Sequence, residues 1–395
     1  MLLRFAFMGF LFHFSTSIYS YELTDFQLIA RANLVDGYNL PAGSDFSNSS
    51  PFINNRGDVS IRLGSIQGQL TYGLWVKNHN EKKGAIVYQA PKQRLISDPF
   101  INELGDIVFS QFDHGVSDGV FLYNSQSKHI EHIINPKDFP LSSDFSAPAI
   151  DNHKRVHFRR LHQSGHRDLI VSDGNLSGET LLREGHGPSY IFNPHLSLNG
   201  QYRVVKVRKG EIFDYREELP DYIKRFNQQG QKTIIAKDHD ADSESPFLSF
   251  DNSPRVASNG DVVFIAKVSE SKRAIFHYQN GEIHKIAQEG REVHSLEFFA
   301  PAVNANGYIV FRAINHQGQR VIYSYRNDQL SAIISQGDYL VTDRETARVL
   351  DKEGFPSFSA GISLNDHNQL LFHVVLESKH GERMMGSAIY QIELE

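Results

Sequence analysis

Apolar and polar positions alternate through most of the chain, and the alternation keeps restarting in one phrase whose cleanest copy is PAVNANGYIVFRA, residues 301–313. Six other copies share its register: PFINNRGDVSIRL from Pro51, PFINELGDIVFSQ from Pro99, PAIDNHKRVHFRR from Pro148, PHLSLNGQYRVVK from Pro194, PRVASNGDVVFIA from Pro254 and ISLNDHNQLLFHV from Ile362. Successive starts lie 48, 49, 46, 60, 47 and 61 residues apart. Periods of this size belong to solenoids, propellers or arrays.

Each copy predicts a strand, a tight turn and a second strand. Proline opens a short strand because it has no N–H to give to a ladder. A polar residue with glycine three positions later then signals a type I turn, as in Asn54 with Gly57, Asn102 with Gly105, Ser197 with Gly200 and Asn304 with Gly307. After the turn, Val59 with Ile61, Ile107 with Phe109, Val156 with Phe158, Val262 with Phe264, Ile309 with Phe311 and Leu370 with Phe372 share one face, the period of a strand. Runs such as GVFLYN (119–124), AIFHYQNG (274–281) and VIYSYRND (321–328) supply a third strand, and EIHKIAQEG (282–290) and QLSAIISQGD (329–338) a fourth.

Four hairpin-linked strands per unit make a propeller blade, so the sequence predicts an all-β, seven-bladed β-propeller of four-stranded antiparallel blades. The last unit offers only three strands, while FQLIARANLVDG near the N-terminus reads like a fourth. The N-terminal strand is expected to complete the C-terminal blade and remove the open sheet edges there.

Residues 1–20 differ from the rest: Arg4 precedes the apolar run 5–14, and Ser15, Thr16, Ser17 and Ser20 follow. This is the layout of a secretory signal peptide, too short to span a bilayer. The expected organisation is a signal peptide, 1–20, and one propeller domain, 21–395, of an exported, periplasmic or extracellular protein that is monomeric and not membrane-spanning. With no cysteine in the chain, disulfides, thiol nucleophiles and thiolate metal sites are excluded. A net charge of -6 argues against nucleic-acid binding.

In such a fold the connections between first and second and between third and fourth strands open on one face, and here they are tight. The blade-to-blade connections open on the opposite face and are long, as at 35–51, 237–254 and 336–362. Long loops on a rigid scaffold are where binding concentrates. Phe46, Phe145, Phe192, Phe250, Phe299 and Phe358 each precede a new inner strand; core plugs between blades are the first reading, a stacking ring for a sugar the second. The segment 215–231 reads as a lengthened connection between third and fourth strands, a decoration or partner contact.

Candidate chemistry is sparse. Asp238, Asp240, Asp242 and Glu244 stand at every second position, a spacing that could hold Ca²⁺, the one cofactor the sequence suggests, or simply make an acidic solvated loop. The third unit is basic, with His157, Arg159 and Arg160 among its cations, and Arg159 shares its register with Arg62, Arg312 and His373. These six residues are candidates for holding an anionic ligand; the competing reading is that the arginines bridge neighbouring blades. His162 and His166 lie four apart, but the Gln-Ser-Gly between them favours a loop over a helix and lends zinc little support. Asn54, Asn102, Asp151, Asn304 and Asn365 could ring the channel around a metal, yet turn formation already explains them. Arg56-Gly57-Asp58 spells an integrin tripeptide at a place where other units read Leu-Gly-Asp and Asn-Gly-Asp. No GxxxxGK loop or HExxH occurs.

The phrase P-x-[IVL]-N-x-x-G-[DQ]-[VI]-x-F, with fourth strands such as KIAQEG and LIARANL, resembles tandem repeats of secreted bacterial β-propeller proteins of unassigned activity. The layout is also similar to TolB-type repeats, with PHLSLNGQYRVV nearest to them. The resemblance covers residues 26–395, lacks the proline at Ile362 and the glycine at Lys154 and Asn368, and implies fold rather than activity. Two functions are therefore expected: a non-catalytic binding or scaffold protein offering its long-loop face to a protein or glycan at the cell envelope, or a hydrolase or lyase with Ca²⁺ or an anion at the channel mouth.

Overall fold

The computed structural model describes residues 21–46, 48–139, 141–173, 178–186, 188–211, 218–251 and 253–395. The expected signal peptide lies outside the described residues. The chain forms seven antiparallel sheets arranged as the blades of a propeller, spanning 52–89, 94–134, 142–183, 188–237, 249–288, 295–335 and 339–393. Blade six shows the plan: Ala302–Val303, Ile309–Ile314, Arg320–Arg326 and Gln329–Ser335 pair in sequence order. The alternation read from sequence places Ile309 and Phe311 in the core, 0% and 1% exposed. Hydrophobic clusters lie between blades, so that Leu74 and Val76 of blade one pack with Ile101 and Ile107 of blade two, and Val204 and Ile223 of blade four pack with Val256 and Phe264 of blade five.

The seam closes as expected. Gln27–Ala32 pairs antiparallel with the last strand, Met384–Glu393, and becomes the outer strand of blade seven. Its core residues Ile29 and Ala30 join Leu371 and Ile389 of blade seven and Ile53, Val59 and Trp75 of blade one. The long connection into blade seven carries its own hairpin, Tyr339–Val341 with Thr346–Val349, which extends that sheet.

The tight-turn face is clasped by side-chain amides that cross every seam. Asn54 Nδ2 donates to Asn102 O (2.8 Å), Asn102 to Asp151 O (3.0 Å), Asn152 to Asn199 O (3.5 Å), Asn199 to Ser258 O (2.8 Å), Asn259 to Ala305 O (3.3 Å), Asn304 to Asn365 O (3.0 Å) and Asn365 to Asn54 O (2.8 Å). The oxygens of six of these amides serve their own turns, as Asn54 Oδ1 accepts from the N–H of Arg56 and of Asp58, while Asn152 Oδ1 accepts across the seam from Glu103 N. Turn formation and seam clasping together account for both ends of the asparagines that could have ringed a metal.

One expectation fails in blade four. Asp221–Asn227, read as part of a lengthened loop, is the third strand, and a short turn links it to the fourth, Lys232–Lys237. The charged run Lys224-Arg225 hid a strand whose Ile223 and Phe226 are buried. The lengthened connection is 210–220, between second and third strands, on the same face as the blade-to-blade loops; its residues 212–217 lie outside the described ones.

Candidate functional site in the central channel

The first strand of each blade lines the channel, and strand alternation sends the residue after the opening proline inward. One residue per blade occupies this layer: Phe52, Phe100, Ala149, His195, Arg255, Ala302 and Ser363, all on the walls of two adjoining cavities of about 270 and 420 Å³. Four are apolar and two are strong hydrogen-bond donors.

Arg255 is the unusual one. Its guanidinium is crowded by the channel wall, and burial alone pushes its pKa down to about 10. Among the described residues it has neither an ion pair nor a hydrogen bond. Half-buried on the channel wall and without a fixed partner, it is an anion acceptor in waiting. Beside it, His195 Nδ1 accepts from the backbone N–H of Val256 at 3.3 Å, which leaves the proton on Nε2. Burial first, and the Arg255 charge second, hold His195 neutral far below the usual histidine range. The two carboxylates on the same walls are engaged elsewhere: Asp98 accepts from Ser49 Oγ (3.0 Å) and pairs with Arg62 (3.3 Å), and Asp366 accepts from Ala305 N (2.8 Å) and Asn55 Nδ2 (3.0 Å).

On the long-loop face the channel is continuous, through Ser253, Phe298, Phe299 and Ala300, with a third cavity of about 530 Å³ between blades four, five and six. Phe298 is 90% exposed there, with the Arg273 guanidinium 4.5 Å above its ring. Phe192 carries Lys206 at 4.4 Å, and Phe299 carries Arg312 at 3.8 Å. Of the six linker phenylalanines, Phe46, Phe145, Phe250 and Phe358 are core plugs, while Phe192 and Phe299 are half-buried and line this mouth.

The six cationic candidates separate. Arg62, Arg159, Arg312 and His373 do share one register, and the arginines reach across seams to carbonyls of the chain entering the next blade: Arg62 to Ile96 (3.1 Å), Arg159 to Ile191 (3.2 Å) and Arg312 to Phe358 (2.6 Å). Arg312 also pairs with Glu297 (2.6 Å). His373 meets Ser359 Oγ at 2.8 Å, and burial with the Arg312 charge pushes its pKa down to about 3. His157 sits two residues earlier on its strand, between Arg203 and Asp151. Arg160, on the opposite face of the strand from Arg159, pairs with Asp168 at 2.6 Å. The structure does not gather these six around one cavity.

Two kinds of residue escaped the sequence. Lys206 belongs to the Arg312 column and reaches Phe250 O at 2.6 Å, but its turn holds one extra residue: Ser197 N bonds Tyr202 O, where Asn304 N bonds Tyr308 O. His195 and Arg255 stand in the column directly after the proline, a signal available once that column is recognised as the channel lining. The four acidic residues do not converge either. Asp238 is buried and accepts from the N–H of Asp221 and Ala241, each at 3.0 Å, while Asp242 pairs with Lys237 at 3.2 Å. Burial above all pushes the Asp238 pKa up to about 6.

Solved structures similar to this chain are propellers. An oligogalacturonate lyase in complex with manganese matches at 10% identity and TM-score 0.59, over 94% of this chain and 96% of that one. The oligogalacturonate lyase of Vibrio parahaemolyticus matches at 9% and 0.55, over 93% and 92%. The β-propeller domain of the Trilobed protease from Pyrococcus furiosus matches at 10% and 0.54, over 88% and 95%. At such identities the likeness is one of fold. No curated protein matches in sequence. A family model matches residues 5–377, and the chain belongs to the Family of unknown function (DUF7453).

Proposed function

We propose that this is a non-catalytic binding protein of the cell envelope, exported by its N-terminal segment and acting as a monomer, which takes an anionic glycan into the long-loop mouth of its channel. The observation that carries the reading is the Arg255 guanidinium, facing the channel without a carboxylate or acceptor among the described residues. A carboxylate or sulfate there would gain a charge-assisted bond to Arg255 and a second bond from His195 Nε2–H. The aromatic mouth suits a sugar face, and because its cations are already paired, Lys206 and Arg208 with Asp221 and Arg273 with Asp251 and Glu289, the ligand's charge falls to Arg255.

The alternative, a lyase or hydrolase acting at the same mouth, needs a proton acceptor beside the ligand. His195 offers its N–H to the channel and has its lone pair taken by Val256, which favours binding over proton abstraction. The test is titration calorimetry with oligogalacturonate, a polyanionic glycan suggested as a probe by the name of a like-folded enzyme, against an uncharged oligosaccharide and a hexaglutamate peptide. Saturable binding of the acidic glycan, lost in R255Q, is expected. No binding of any polyanion, or binding indifferent to R255Q, overturns the reading, and release of unsaturated or shortened sugars would establish the enzymatic alternative.

A further inference from the structure

Blade three carries a second constellation, away from the channel layer. Its second and third strands, Val156–His162 and Arg167–Ser172, form a hairpin in which Arg160 pairs with Asp168 and Leu161 with Arg167. The tip closes through His162 N to His166 O and Gly165 N to His162 O, both 2.8 Å, with Gly165 at φ 89°. Side chains alternate along each strand, so His162, His166 and Asp168 emerge on one face. Their ligand atoms all lie within 4.8 Å of one another.

We propose that His162, His166 and Asp168 form a binding site for a late first-row divalent cation of the Zn²⁺ class. The two imidazoles stack at 4.0 Å and 19°, presenting parallel edges toward the same space. Ser164 Oγ lies 2.6 Å from His166 Nδ1, which orients that ring and leaves Nε2 for the metal, the outer-shell arrangement metal-bound histidines ordinarily have. His162 Nε2 lies 2.8 Å from Asp168 Oδ2, so one small cation can replace the proton between them and reach both. Two imidazoles and one carboxylate suit Zn²⁺, Co²⁺ or Ni²⁺ rather than Ca²⁺ and leave a fourth position for water or a ligand.

Arg160 and Arg183 already neutralise Asp168, at 2.6 and 3.1 Å, and they oppose the cation. Asp168 Oδ2, the oxygen facing His162, is also held by Arg183 Nη2 at 3.3 Å, and Arg183, 43% exposed, can turn into solvent, which leaves Arg160 as the competing cation. That competition sets a moderate affinity, carried mainly by the histidines.

The experiment is CoCl₂ titration of the purified, tag-free full chain, read by visible absorption, with ZnCl₂ competition by calorimetry. One saturating equivalent with the intense bands of a four-coordinate site is expected in the wild type. H162Q and H166Q should each lose at least about 10-fold in affinity, and S164A a smaller factor. His166 touches only the exposed hairpin tip, so H166Q keeps the test valid if H162Q fails to fold, as circular dichroism will show. Absence of saturable binding, or binding unchanged in H166Q, overturns the proposal.

Discussion

The Nε–H of Arg203 donates to Nδ1 of His157 at 2.6 Å and thereby fixes the proton of a histidine buried at the seam of blades three and four. A guanidinium has no lone pair to offer, so Nδ1 is bare and Nε2 carries the hydrogen, 3.2 Å from Asp151 Oδ2. Protonating His157 would set a cation against Arg203 inside the protein. Burial is the larger cause and Arg203 adds to it against the pull of Asp151, so the His157 pKa falls to about 4.

This predicts acid lability with a defined window. The unfolded histidine titrates near 6.5, so the unfolded chain binds more protons between about pH 6.5 and 4. The stabilisation is complete above 6.5 and is lost as pH falls through the folded value, a total of roughly 3 kcal/mol for a shift of this size. In H157Q the amide can still accept from Arg203 and donate to Asp151, but it cannot titrate. Urea midpoints measured from pH 7 to pH 4 should therefore fall less steeply in H157Q than in the wild type. Superimposable slopes would reject the assignment, since His373 titrates in both proteins.

The closing strand holds a buried charge of its own. Arg31, 1% exposed, pairs with Asp343 at 2.7 Å and with Asp36 at 2.9 Å, tying the N-terminal strand to the hairpin before the last blade. D343A leaves the guanidinium half-compensated in the seam. A loss of about 3 kcal/mol is expected, the lower end for breaking a buried pair, because Asp36 remains. Thermal unfolding decides it, and a change under about 0.5 kcal/mol, the ordinary surface value, would show that the seam does not depend on this pair.

The repeat made most of this architecture readable, and the departures have local causes. Alternation and Asn-Gly turns are short-range signals, so blade count and seam closure followed from spacing. One added residue before Tyr202 moved Lys206 out of its column, and Lys224-Arg225 masked a strand whose buried face is carried by Ile223 and Phe226. Arg255 and His195 were passed over because the position after the proline varies in chemistry; only ring closure makes those seven residues neighbours. His162 and His166 read as a weak pair because a loop between them gave no common face; a hairpin brings them together. In the acidic loop a turn points Asp238 inward while Asp242 pairs with Lys237, so alternate spacing does not bring the four carboxylates together.

The seam clasp can be dissected at Asn365, whose Nδ2 reaches Asn54 O at 2.8 Å and whose Oδ1 accepts from His367 N (3.0 Å) and Gln369 N (2.9 Å). N365D keeps the turn acceptor but sets a carboxylate oxygen against Asn54 O and Gln369 Oε1; N365A loses both the clasp and the turn acceptor. Leaving buried polar groups unpaired costs about 1–3 kcal/mol each. Urea midpoints of both variants should fall below that of the wild type. Equal midpoints for all three would mean that the ring of amides follows blade packing and adds nothing to it.

Arg255, half-buried on the channel wall, should behave in the opposite way from the buried and paired cations. Arg31 and Arg312 are held by carboxylates, so removing their partners destabilises the fold. Arg255 has no such partner among the described residues, and the partial desolvation that lowers its pKa is uncompensated until a ligand arrives. Replacing it by leucine removes that penalty and keeps the stem's contacts with the channel wall. R255L is therefore expected to match or exceed the wild type in stability, by up to about 1 kcal/mol, while losing the acidic glycan. The wild type should in turn gain stability as that glycan is added, by about 2.7 kcal/mol at a hundredfold excess over the dissociation constant, and R255L should gain none. A strongly destabilised R255L would show instead that the guanidinium serves the fold, and the channel would lose its claim to an anion.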